Sequence, residues 1–206
     1  MEGMIRHLVL DMGNVLIHFD PMYFILREGI TDKASQQAIL REVFRSPHWV
    51  MLDRGVSDEP DLLAYAKTRL PEELHPVVER IMANYDKPIR PMEGMEQYVK
   101  DCKAQGLDVY LLSNASHHHS EYWPRVPGSE LCDGVMVSAY EHLLKPQPEI
   151  YLRFLSKFGL KAEECLFIDD QPTNIEGAMY VGMNGIVFDG DVDWLRAQTR
   201  EFGVQV

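Results

Sequence analysis

The sequence predicts an α/β fold: a parallel β-sheet flanked by helices, with a small helical cap inserted after the first strand. Three observations predict it. Short apolar runs end abruptly in polar or glycine-containing turns, and most are followed by a helical pattern. The runs are continuously apolar rather than alternating, as strands covered on both faces must be. Between the first and second runs lies a long segment with helical patterns and no convincing strand.

The first run, His7 to Leu10, stops at Asp11. The insert, about Phe19 to Pro88, carries helical patterns around Ala34 to Phe44, Asp61 to Leu70 and Glu72 to Asn84. Ser57, Asp58 and Pro60 mark the start of its middle helix, and Pro71 and Pro88 are breaks. The core is therefore expected from residues 1–18 and 89–206, and the cap from 19–88. Beyond the insert, Met95, Tyr98, Val99 and Cys102 form a helical stripe stopped by Gly106, the residue a left-handed cap prefers. The second run, Leu107 to Leu112, leads to Ser113, and the third, Gly134 to Val137, leads to Ser138. Ile150, Tyr151, Phe154, Leu155 and Phe158 form the next stripe, opened near Pro148 and stopped by Gly159. The fourth run, Cys165 to Ile168, meets Asp169, and a helix from about Asn174 to Val181 ends at Gly182. The fifth, Gly185 to Phe188, ends at Asp189. The intervening helices are the return crossovers that parallel strands need.

At 206 residues and 46% hydrophobic content, the chain can bury one full core and a small satellite. A formal net charge of -12 repels nucleic acid and anionic lipid, so a phosphorylated ligand must be held by a few local cations. A small phosphorylated metabolite is favoured over a polymer. No stretch approaches the roughly 18 apolar residues of a membrane span, and Met1 to Leu10 lacks the regions of a secretory signal, so the cytoplasm is the expected compartment. Cys102, Cys132 and Cys165 read as reduced, packed thiols, being odd in number and without metal-ligand spacing. The methionines read as core filling.

In open α/β sheets, ligands gather beyond the carboxyl ends of the strands. Asp11, Ser113 with Asn114, and Asp169 with Asp170 stand at such ends, and Lys145-Pro146 follows Leu144. Singly, each has an ordinary reading as a turn former, helix cap or solvated loop cation. Adjacent carboxylates such as Asp169 and Asp170 are more telling, because like charges at one strand end repel unless a cation neutralises them.

In order and context, Asp11-Met-Gly-Asn-Val, then Leu-Leu-Ser113-Asn114, then Leu-Lys145-Pro, then Phe-Ile-Asp169-Asp170 resemble the four motifs of the haloacid dehalogenase superfamily. The match spans nearly the whole chain. The first motif and Asn174-Ile-Glu-Gly-Ala after the fourth are similar to the subgroup of α-D-glucose-1-phosphate phosphatase-like sugar-phosphate phosphatases. The resemblance implies a Rossmann-like core and a magnesium-dependent phosphatase in which Asp11 attacks phosphorus and carries an aspartyl phosphate. It implies magnesium held by Asp11, the Gly13 carbonyl and Asp169, with Asp170 steadying a bound water or the outer shell. Ser113 and Asn114 would bind phosphate oxygens, and Lys145 would balance the charge of Asp11 and the phosphoryl group. Arg54, in Asp53-Arg54-Gly55 of the implied cap, is the candidate contact for the leaving group.

One departure matters. The superfamily's phosphatases generally carry an acid/base aspartate two positions after the nucleophile, and Gly13 stands there. Such a group is typically worth about 10² to 10⁴ in rate. Its loss predicts a substitute group, a good leaving group or a slow second step with a burst of product; His18 and His48 are candidate substitutes. His117 to His119 read as a solvated helix start. Two other functions compete: a magnesium-free dehalogenase, which also dispenses with that aspartate, and a catalytically weak protein that binds a phosphorylated ligand for regulation. The paired fourth-motif aspartates oppose the first, and the retained nucleophile opposes the second.

Overall fold

Five parallel strands form the central sheet in a computed structural model that describes residues 4–206. After β1 (His7–Leu10) come α1 (Pro21–Arg27), α2 (Lys33–Ile39), a π-helical turn at Leu40–Phe44, α3 (Pro47–Asp53), α4 (Glu59–Arg69) and α5 (His75–Asn84). The chain then returns through α6 (Met95–Ala104) to β2 (Asp108–Ser113). Next follow α7 (His119–Tyr122), β3 (Gly134–Val137), α8 (Ser138–Glu141), α9 (Pro148–Phe158), β4 (Cys165–Asp169), α10 (Pro172–Tyr180), β5 (Asn184–Val187) and α11 (Val192–Glu201). In space the strands run β3-β2-β1-β4-β5, so β1 is central, with β2 and β4 as its neighbours.

Register sets the site. Leu10 is level with Leu111 on one side and Ile168 on the other, which brings Asp11, Ser113 and Asp169 out of the same edge. Alternate residues supply the two faces, each buried, as the unbroken apolar runs require. Leu8, Leu10, Val109 and Leu111 pack with Tyr98, Val99 and Leu195 of α6 and α11. Val9, Tyr110, Leu112 and Phe167 pack with Phe154 of α9 and Ile175 of α10 on the other face. Positive φ at Gly106 and Gly159 ends α6 and α9, conformations that glycine adopts without a Cβ penalty.

None of the five strands lies between Phe24 and Asn84. The helices of that stretch bury an apolar cluster of their own, including Phe24, Ile39, Val43, Leu62, Val78 and Ile81. α1 and α3 were not expected from the sequence. Each is a two-turn helix with proline in its first turn and a side-chain cap: Asp20 accepts from the Met22 amide at 2.9 Å and Ser46 from the Trp49 amide at 3.1 Å. α11 was also unexpected, and α10 starts at Pro172, ahead of the expected Asn174. Residues 1–3 of the expected core lie outside the described residues. Among the described residues, no helix is long and apolar enough to cross a membrane. Cys102, Cys132 and Cys165 are unpaired, and burial pushes each thiol up to about 12, which leaves them chemically inert.

Candidate active site

Lys145 is the hub at the strand ends. Its buried ammonium lies 2.9 Å from Asp11 Oδ1 and 2.7 Å from Asp169 Oδ2, and donates to the Leu112 carbonyl at 3.0 Å. Burial alone would lower the Lys145 pKa, but the two carboxylates outweigh it and hold it above its ordinary value. Burial raises Asp11; Lys145 opposes the rise and Asp169 adds to it.

The loop that carries Lys145 is fixed from two sides. The Asn114 side chain accepts from the Lys145 amide at 2.9 Å and donates to its carbonyl at 3.1 Å, so this side chain is committed to the loop. On the other side α10 approaches so closely that a Cβ on Gly177 would lie 2.6 Å from the Pro146 carbonyl oxygen. Only glycine fits there. Asn174, on the same helix, donates to both Asp169 oxygens at 3.0 Å, and the Gln171 amide donates to Asp169 Oδ1 at 2.8 Å.

Asp170 is less buried and faces the first motif, accepting from Asn14 Nδ2 at 3.2 Å. Asn14 holds a positive φ of 54°, and its Oδ1 accepts from the Phe19 amide at 3.0 Å, so one side chain ties the nucleophile loop to Asp170 and to the start of the insert. The sequence places Asn14 in the first motif and Asn174 after the fourth, but assigns neither side chain a role.

Asp11, Asp169 and Asp170 each offer an oxygen within 4.8 Å of the others. Three carboxylates against one lysine leave a local excess of two negative charges if all are ionised, which a divalent cation balances. Asp11 Oδ1 is buried and has no hydrogen-bond donor, its contact with Lys145 being one of charge without hydrogen-bond alignment. Hard oxygen donors, an orphaned carboxylate oxygen and the charge excess together fit magnesium. The Gly13 carbonyl is used by none of the loop's backbone hydrogen bonds, and Gly13 borders the same cavity.

Above this floor is a cavity of about 800 Å³, bordered by Asp11, Gly13, Ser113, Asn114 and Asp170 below and by residues of the insert above. The roof carries an aromatic cluster of Phe19, Phe24, Phe44, Trp49 and Tyr85, and His18, Arg45, Asp86 and Arg90 line the cavity beside it. The rings brace one another, with Phe44 and Trp49 ring centroids 5.0 Å apart and Phe19 and Phe24 5.6 Å apart. Asp53, at the end of α3, also lines the cavity.

Other candidates fall elsewhere. Arg54 is not among the lining residues; its guanidinium points to Gln147 Oε1 at 3.5 Å and its carbonyl meets His142 Nδ1 at 3.1 Å. Its neighbour Asp53 faces the cavity instead, because adjacent helical residues point about 100° apart. His18 borders the cavity, whereas His48 is stacked on Tyr65 at 4.0 Å away from it. The expected solvated histidine run is corrected at His119, which is buried and stacked on Trp123; burial pushes its pKa down to about 4.

Comparison with known proteins gives a consistent picture. The family model for haloacid dehalogenase-like hydrolases matches residues 5–182. The chain is 28% identical over 189 residues to a sesquiterpene phosphatase of Aspergillus oryzae, covering 86% of this chain and 87% of that one. It is 24% identical over 159 residues to flavin mononucleotide hydrolase 1 of Arabidopsis thaliana, covering 77% of this chain but 63% of the plant protein. Among solved structures, a predicted HAD-like family hydrolase from Porphyromonas gingivalis superposes with a TM-score of 0.72 at 26% identity, over 97% of this chain and 98% of that one. A HAD family enzyme of Bacteroides thetaiotaomicron, crystallised with magnesium and inorganic phosphate, shares the fold with a TM-score of 0.70 at 19% identity, over 92% and 97%.

Proposed function

The chain belongs to the haloacid dehalogenase-like hydrolases, and from that premise we propose that it hydrolyses a small phosphate monoester through an aspartyl phosphate on Asp11. The observation that carries this reading is the buried Lys145 between Asp11 and Asp169, with the third carboxylate of Asp170 beside them at the floor of one cavity.

Asp11 attacks phosphorus and the bond to the leaving oxygen breaks; water then attacks phosphorus and the carboxylate is regenerated. Lys145 holds the nucleophile in place and offsets charge that spreads over the phosphoryl oxygens. Ser113 and the backbone of its loop receive the phosphoryl group, while the Asn114 side chain secures Lys145. Asp11, the Gly13 carbonyl, Asp169 and Asp170 are the residues to hold magnesium. When bound, magnesium supplies Lewis-acid charge that allows an anionic carboxylate to approach an anionic ester. A dehalogenase has no use for this carboxylate cluster, and a pure binder has no use for a nucleophile held by lysine.

The aromatic roof supports a refinement. A sugar phosphate, expected from the subgroup resemblance, would find no hydroxyl partners along Phe19, Phe24, Phe44 and Trp49, and only His18, Arg45, Asp53, Asp86 and Arg90 of the upper lining could meet its polar groups. A leaving group with an apolar or aromatic portion fits that lining better, and the sesquiterpene and flavin names of the relatives are in keeping with it. The absence of nucleic-acid and anionic-membrane partners belongs to the same proposal and rests on the negative charge of the chain.

The test is a panel of phosphate monoesters assayed with magnesium and with excess chelator. Magnesium-dependent phosphate release, abolished by Asp11→Asn and favouring apolar or aromatic esters over simple sugar phosphates, is the expected result. Full activity in chelator contradicts the reading.

A further inference from the structure

The gap at Gly13 leaves the floor without a dedicated proton donor, since Lys145 is held charged by two carboxylates, Asp169 accepts from Lys145, Asn174 and the Gln171 amide, and Asp170 accepts from the Asn14 and Gln171 side chains. The insert brings two carboxyl groups to the cavity, Asp53 and Asp86, and Asp86 is already paired with Arg125 and lies 3.7 Å from His118 Nε2. Asp53 ends α3, borders the cavity that Asp11 borders from below, and lies one helical turn from Trp49 in the roof.

Its position is built rather than incidental. Ser138 Oγ donates to the Asp53 carbonyl at 2.6 Å and accepts from the Ala115 amide at 3.0 Å, so a single hydroxyl joins the end of α3 to the loop after Ser113. Two residues on, Gly55 has φ of +73°, and a Cβ there would lie 2.1 Å from the Ala139 carbonyl oxygen. Only glycine permits that approach, which seats Asp53 against the core.

From this placement we propose that Asp53 is the acid and base of the reaction, supplied by the insert in place of the missing residue at position 13. The proposal rests on the phosphatase reading. In the first half-reaction, an oxygen of Asp11 bonds to phosphorus, the ester bond breaks with its electron pair going to the leaving oxygen, and that oxygen takes the proton of Asp53 to leave as an alcohol. In the second, the Asp53 carboxylate takes a proton from the attacking water as the new oxygen–phosphorus bond forms. The Asp11–phosphorus bond breaks with its pair returning to Asp11, and Asp53 is again protonated.

The electrostatics suit a group that must be an acid first. Burial pushes Asp53 up to about 7, the Trp49 side chain opposes the rise, Asp11 adds to it and Lys145 opposes it. The phenol of Tyr122 on α7 faces the same group, and its own ionisation is suppressed by burial and by the charges of Asp53, Asp86 and Asp11.

The experiment compares the unaltered protein with Asp53→Asn and Asp53→Glu, using magnesium, an alkyl phosphate and a nitrophenyl phosphate. Asp53→Asn should lose about 10² to 10⁴ in kcat/KM on the alkyl ester. On the nitrophenyl ester, whose leaving group needs no proton, it should give a burst equal to the enzyme concentration and then a slow steady rate. The alkaline fall of kcat/KM on the alkyl ester, present in the unaltered protein, should disappear, and Asp53→Glu should recover part of the rate. A purely structural role for Asp53 would depress both esters alike and leave the pH profile in place. Alkyl-ester activity in Asp53→Asn within a few-fold of the unaltered protein overturns the proposal alone; no phosphate release from any ester by the unaltered protein sinks the phosphatase reading and the proposal with it. Should the variants fail to fold, the unaltered protein decides: its rates should vary only weakly with leaving-group acidity, and a steep dependence rules Asp53 out as the acid.

Discussion

The floor and the roof of the cavity are made on different principles. The floor is charged and tightly paired, with Lys145 between Asp11 and Asp169 and nearly every polar atom given a partner by Asn114, Asn174 or a backbone amide. The roof is built on aromatic ring packing, with Arg45, Asp53 and Asp86 as charged groups beside the rings. A floor of that kind fixes charge for one type of chemistry, whereas a roof of apolar surfaces ranks leaving groups by shape and hydrophobicity. The two regions should therefore respond differently to substitution.

The largest effect among the following variants is expected at the floor. Lys145→Met leaves two buried carboxylates without their cation, and breaking such a pair costs about 3 to 5 kcal/mol of stability. Activity should fall about 10²-fold or more on every ester tested, and chemical denaturation alongside steady-state assays checks both. An ester-specific loss would break the contrast between the two regions.

At the roof, Phe19→Ala removes an aromatic wall without touching the carboxylates. An apolar contact of this size is worth about 1 to 3 kcal/mol, so kcat/KM for an apolar or aromatic ester should fall roughly 10- to 100-fold, mainly through KM. A small alkyl phosphate should be little affected. Equal losses on both would mean that the roof holds the floor in shape and does not select substrate.

The smallest effect is expected from Gly13→Asp. A Cβ there meets nothing closer than Phe19 Cβ at 3.6 Å, so the chain should fold. With Asp53 in the role, the added carboxyl should change the steady rate by no more than a few-fold, and product release by the unaltered protein should be linear from the first turnover. That reverses the burst expected from the sequence, and rapid mixing checks it.

The same contrast explains what could be read without coordinates. Asp11, Ser113, Lys145, Asp169 and Asp170 were legible because each follows or closes an apolar run or sits in a short motif, and register alone carries the strand-end residues to one edge. The role of Asn14 was not, because its partner Asp170 is 156 residues away and the positive φ that aims its side chain leaves no mark in the composition. Asp53 was passed over for Arg54, its neighbour, because choosing between adjacent helical residues requires the rotation of α3 about its axis. Helices α1 and α3 are too short for apolar periodicity, although Asp20-Pro21 and Ser46-Pro47 are recognisable starts in hindsight. The insert's aromatic residues drew no reading from the sequence; most of them pack, and that several also face a cavity depends on how the insert closes over the sheet.

The stereochemical course at phosphorus tests the central claim most directly. An isotopically chiral thiophosphate ester is hydrolysed in isotopically labelled water with magnesium, and the configuration of the released thiophosphate is read. Transfer to Asp11 followed by transfer to water inverts phosphorus twice, so the account predicts net retention. Net inversion would mean that water attacks the ester directly and that Asp11 never carries the phosphoryl group.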